Sequence, residues 1–167
     1  MVKADGRHQQ KDFIDMKLQV KRLSEDVKLP TKAYEGDAGW DLYSCEDVHV
    51  TMHFQSKSDL LEVHTGVAVA IPEGYYGQIM CRSGLGRKGW RVHPGVIDAG
   101  YRGEITIFIQ NHRMTQHNMH EGQKLDIKKG DKIAQMLILP VPHFELEVVE
   151  DLPESQRGEK GFGSSGR

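Results

Sequence analysis

The sequence predicts an all-β subunit, a jelly-roll-like β-sandwich or barrel with a flexible C-terminal arm. Three observations predict it. No window of a dozen residues carries apolar positions at i, i+3, i+4 and i+7, so amphipathic helices are not expected. Segments alternating apolar and polar residues recur along the chain. Glycine- and proline-bearing turns separate them, and Gly makes up 18 of 167 residues, about 11% against a typical ~7%.

Taken in order, residues 18–23 place Leu18 and Val20 on one face. Residues 63–71 do the same with Val63, Val67, Val69 and Ile71. Residues 76–81 form a shorter strand after the Pro72-Glu73-Gly74 turn. Residues 104–109 alternate Ile105, Ile107 and Ile109 with Glu104, Thr106 and Phe108. Residues 133–139 and 145–149 complete the set, the former after the Lys129-Gly130 turn. Many short, punctuated strands of this kind read as a sandwich or jelly roll. No repeat and no second domain is visible.

Three segments stand outside the pattern. Residues 1–15 lack periodicity and read as a disordered leader; they are polar with both charge signs, unlike a signal peptide. Residues 111–124 are polar and rich in His, an exposed insertion loop within a β domain spanning 16–156. Residues 157–167 hold four Gly and two Ser, too much backbone entropy for a strand, and read as an arm that orders only against something else.

Composition narrows the classes further. A chain of 18.9 kDa with 38% hydrophobic residues is long enough for one folded core. A net charge of -2 argues against a broad nucleic-acid footprint, and no direct nucleic-acid binding is expected. The longest apolar runs fall far short of the ~18 residues of a membrane span. Two cysteines, Cys45 and Cys81, make no disulfide framework, so a reducing, cytoplasmic setting is expected.

Several places carry chemistry. In the arm, Gly163, Ser164 and Ser165 offer backbone N–H groups and hydroxyls suited to phosphates. Arg157 adds a guanidinium fork, and Phe162, isolated between glycines, suits a planar ligand. Arg82, Ser83 and Gly84 open a basic stretch after a strand; an ordinary glycine turn accounts for the same residues. Asp37 and Asp41 lie four apart, on one face if extended, and one could help hold hydrated magnesium; turn capping by Asp37 and a solvated Asp41 fit as well. Residues 96–103 read as a hairpin carrying Asp98 beside Ile97 and Tyr101, where a partly desolvated carboxylate could take a proton from water. An Asp that merely forms a turn explains that position too. His112, His117 and His120 match no strong metal template, and the two cysteines read as packed thiols.

The order of these signals is more specific than any one of them. DAGWDL, RSGLG, GVIDAGYRGEI, GDKIAQM and RGEKGFGSSG together resemble the five motifs of the trimeric dUTPases, over residues 18–166. The resemblance implies a dUTPase-type jelly roll in a homotrimer with active sites shared among three subunits. It also implies the reaction, dUTP and water giving dUMP and pyrophosphate with Mg2+ on the triphosphate. This would limit uracil in DNA and supply dUMP for dTTP synthesis. By resemblance, Asp98 activates the water, Asp41 orders metal-bound water, and Gln135 lies near the α-phosphate. Arg82, Ser83 and Gly84 contact phosphates. Gly95, Val96 and Ile97, with the rest of residues 95–103, read the uracil edge through their backbone, and Tyr101 packs under the sugar. Arg157 grips the γ-phosphate, Phe162 covers uracil, and Gly163, Ser164 and Ser165 form the cradle.

Cys81 stands where the family often has proline, and residues 111–124 exceed the usual link between the third and fourth motifs. Some phage members carry an insertion there, which would place the protein in a host cytoplasm and suits a regulatory protein partner. A dCTP deaminase of the same fold is the nearest alternative; that chemistry needs a glutamate base in the pocket.

Overall fold

The computed structural model describes residues 16–52, 60–111 and 123–160. Among these residues ten strands form three antiparallel sheets. In chain order they are β1 (Gln19–Arg22), β2 (Gly39–Tyr43), β3 (Val48–Met52), β4 (Leu60–Ala70), β5 (Tyr75–Met80), β6 (Trp90–Val92), β7 (Val96–Ile97), β8 (Glu104–Asn111), β9 (Gln123–Ile127) and β10 (Lys132–Pro140). One sheet runs β1-β4-β8-β6, a second β2-β10-β5-β7, and β3 pairs with β9. Sequence neighbours are rarely sheet neighbours, as a jelly-roll-like fold requires. Among the described residues no helix is long and apolar enough to cross a membrane.

The core lies between the two larger sheets. Ile105, Ile107 and Ile109 of β8 are fully buried, as their alternation predicts. They pack with Val63, Leu42, Ile133 and Met136 from β4, β2 and β10. Burying each such side chain is worth roughly 1.5–3 kcal/mol. β4 is interrupted where its pairing with β8 shifts between His64 and Ala68. Gly66 sits in this bulge at φ +67°, and a Cβ there would meet Val27 Cγ1 at 2.4 Å. Glu104 braces the bulge: its Oε1 accepts the Gly66 N–H at 2.7 Å and its Oε2 lies 3.1 Å from His64 Nδ1.

Four expectations need correction. Residues 145–149 form no strand. Their alternation is real, but no strand edge among the described residues receives it, and Phe144, Leu146 and Val148 are each more than 80% exposed. Residues 96–103 are not a hairpin. β7 pairs with β5 while β8 pairs with β4 and β6, so the Asp98–Tyr101 turn passes the chain from one sheet to the other. RSGLG is not a plain glycine turn; Ser83–Arg87 forms one helical turn, α1, with Arg82 as its N-cap residue. The polar segment 111–124 is trimmed at both ends, because Asn111 closes β8 and Gln123 opens β9. Its remainder and the 1–15 leader lie outside the described residues.

Candidate active site

Two clefts gather many of the residues singled out in the sequence. The first, about 460 Å³, lies on the β2-β10-β5 sheet. Asp41 of β2 stands directly opposite Gln135 of β10, and Gln135 opposite Met80 at the end of β5. Register therefore places the carboxylate and the amide on one face, and β5 delivers Arg82 and Ser83 beside them. The Gln135 amide donates from Nε2 to the Cys81 carbonyl at 3.1 Å. Gly39 makes room for it: a Cβ there would stand 2.5 Å from Gln135 Oε1.

Asp41 is buried, not solvated. Its Oδ1 accepts from Arg82 Nε at 2.8 Å, and its Oδ2 pairs with Lys132 Nζ at 2.6 Å. The carboxylate hydrogen bond and its charge in turn raise the Lys132 pKa. Asp37 does serve as a turn former, its Oδ2 accepting the Tyr34 N–H at 3.0 Å, while also lining the cleft. Lys132 escaped the sequence reading; a basic residue three before Gln135 should face away from it in a regular strand.

The second cleft, about 350 Å³, holds Gly95, Val96, Ile97, Asp98 and Tyr101, with Glu62, Thr106 and Phe108 opposite. Asp98 is exposed in the single chain, so the desolvation expected of it is absent there. Its carbonyl accepts the Tyr101 N–H at 3.0 Å, and the Tyr101 hydroxyl donates to the Glu104 carbonyl at 2.9 Å, fixing the ring. The two clefts share no residue. Gly84 lines neither. Arg157 is turned back on its own segment, Nε donating to the Lys160 carbonyl at 3.2 Å. Phe162, Gly163, Ser164 and Ser165 lie outside the described residues.

Among the described residues no three of His, Cys, Asp and Glu cluster into a metal site. Both Asp41 oxygens are engaged by cations, so a magnesium ion here would be held by phosphates and water, with Asp41 reaching it at most through water rather than as a direct ligand. Cys81 is a packed thiol, its Sγ 3.7 Å from the Trp90 carbonyl. Desolvation pushes the Cys45 thiol pKa up, and Glu104 and Glu46 add to it, so Cys45 does not suit nucleophilic work.

The jelly-roll-like subunit thus carries a polar cleft edged by Arg82 and Lys132 on one sheet and a second cleft edged by Tyr101 and Phe108. The chain is a member of the dUTPase family, whose model matches residues 25–166. It is 46% identical to the deoxyuridine 5'-triphosphate nucleotidohydrolase of Clostridium tetani, over 90% of this chain and 97% of that one. Among solved structures it resembles the dUTPase of Staphylococcus bacteriophage 80alpha with dUPNHPP. The two are 36% identical with a TM-score of 0.78, over 90% of this chain and 99% of that one. That phage enzyme is described as controlling transfer of virulence genes. A mutant dUTPase from phage phi11 of S. aureus, described with a structural Mg(II) ion, is 33% identical with a TM-score of 0.70, covering 81% of this chain and 98% of that one.

Proposed function

We propose that the protein hydrolyses dUTP to dUMP and pyrophosphate, acting in the cytoplasm, of a host if phage-encoded. The observation that carries the reading is the placement of Asp41, Arg82, Ser83 and Gln135 in one cleft, in a chain that belongs to the dUTPase family. Asp98 takes a proton from water, and the oxygen's electron pair attacks the α-phosphorus. The bond to the bridging oxygen breaks and pyrophosphate leaves. Arg82, Ser83 and Gly84 hold phosphate oxygens and Gln135 holds the α-phosphate. Magnesium bound to the triphosphate would neutralise charge, with Asp41 ordering its water. Anhydride cleavage asks mostly for such positioning and neutralisation.

Tyr101 packs under the sugar, and its tethered hydroxyl supports a fixed ring that leaves no room for a 2′-hydroxyl. The backbone of Gly95, Val96 and Ile97 reads the uracil edge. We further propose a homotrimer, with the arm reaching a neighbour's site: Arg157 on the γ-phosphate, Phe162 over uracil, and Gly163, Ser164 and Ser165 as cradle. The separation of the two clefts within one chain supports sites completed across subunits. Binding of a regulatory protein by residues 111–124 is a second role, favoured by the description of the 80alpha enzyme. The deciding experiment measures pyrophosphate release from dUTP against dCTP, dTTP and UTP, with ammonia release from dCTP followed alongside. Selective release from dUTP is expected; ammonia from dCTP overturns the reading in favour of deamination.

A further inference from the structure

Lys132 lies within the GDKIAQM segment yet has no part in the reaction proposed for the cleft, and its link to Asp41 supplies one. β10 changes register against β2 between Lys132 and Ala134. Lys132 pairs with Tyr43 and Gln135 with Asp41, and Tyr43 and Asp41 are two apart on β2. The bulge therefore turns Lys132 onto the face that carries Asp41 and Gln135, where a regular strand would turn it away. There it lines the polar cleft and closes on Asp41 Oδ2, while Oδ1 takes Arg82 through Nε. No ion pair among the described residues uses the two terminal nitrogens of Arg82.

That geometry matters for an anion site. A carboxylate beside an arginine favours the two-pronged pairing that occupies a pair of guanidinium nitrogens. An Asp41 free to rotate could take both prongs and withdraw Arg82 from phosphate. A second cation on Oδ2 removes that option. We propose that Lys132 is a positioning residue: it pins Asp41 so that only Nε of Arg82 is engaged and the terminal nitrogens are presented to the triphosphate. The inference rests on the triphosphate reading of this cleft.

The test titrates inorganic tripolyphosphate and a non-hydrolysable dUTP analogue into the wild-type protein and into Lys132→Met, Lys132→Arg, Asp41→Asn and the Lys132→Met/Asp41→Asn double variant, with thermal melts for each. Lys132→Met is expected to weaken binding of both probes about 10-fold or more, mostly as a rise in Kd and KM with kcat changed far less. Lys132→Arg should recover most of the loss. The double variant should bind no worse than Asp41→Asn alone, because without a carboxylate there is nothing to pin. Wild-type affinity in Lys132→Met overturns the inference, as does an additive loss in the double variant, which would put Lys132 on the phosphate itself. Should Lys132→Met fail to fold, Lys132→Gln takes its place in the same measurements. Tripolyphosphate needs no uracil, so a protein whose tripolyphosphate affinity depends on Lys132 in this way yet leaves dUTP intact separates failure of the dUTP reading from failure of this one.

Discussion

At the scale of single residues, the site depends on side chains that are held rather than merely present. Asp98→Ala should reduce kcat by about 10²–10⁴-fold while leaving affinity for a non-hydrolysable dUTP analogue nearly unchanged, because its proposed task arises only as water loses its proton. Steady-state kinetics with parallel binding titrations checks this, and a variant with near-normal kcat sinks the assignment. Gly39→Ala makes a complementary case. The added methyl would press hardest on the movable Oε1 of Gln135 and more lightly on its Cβ and Cδ at 3.3 Å, so the melting temperature should fall only slightly. The displaced amide should lower kcat/KM by as much as about 100-fold. A normal kcat/KM in that variant would separate Gln135 from the chemistry. The sequence made Asp41, Arg82, Ser83 and Gln135 legible because their motifs resemble a family. It hid Lys132, since a bulge reverses facing and leaves no signature in composition or alternation.

At the scale of elements, pairing decides what alternation leaves open. Ile105, Ile107 and Ile109 were readable as a strand face because β4 and β6 both accept β8. Residues 145–149 carry an equally regular pattern and find no such neighbour among the described residues of their own chain. Likewise 96–103 has the composition of a hairpin, yet β5 captures β7 and prevents it from closing on β8. Local sequence specifies strand character; partner choice is a property of the assembled sheets. The brace across the β4 bulge gives this scale a pH signature. The hydrogen bond to Glu104 raises the His64 pKa, and the charges of Glu46 and Glu62 add to it. The folded state therefore binds this proton more tightly than the unfolded chain. The stabilisation is complete below the ordinary His value of about 6.5 and is lost as pH rises through the raised folded value. Half-exposure of the ring keeps the effect small. Thermal melts between about pH 6 and pH 8 should show the wild type losing stability with pH more steeply than His64→Gln; parallel slopes would remove His64 as the cause.

At the scale of the whole molecule, one chain offers two separate clefts, and Arg157, at the start of the arm, hydrogen-bonds within its own segment. If active sites are completed between subunits, two dead proteins should rescue each other. Asp98→Ala and a chain ending before Arg157, each inactive, should regain partial dUTP hydrolysis when co-refolded, since some mixed sites combine an intact Asp98 with an intact arm. Activity no greater than the sum of the separate preparations would assign each site to one chain. The stretch from Phe144 to Leu152 adds a consequence for the newborn protein. Its outward-facing Phe144, Leu146, Val148 and Leu152 leave the ribosome after every strand of the two sheets has been made. Each chain thus completes its own interior first and carries an unsatisfied greasy ribbon last. If a neighbouring copy covers that ribbon, synthesis of several copies close together, as on one crowded messenger, shortens its wait. Dilute synthesis lengthens its exposure to chaperones and proteases.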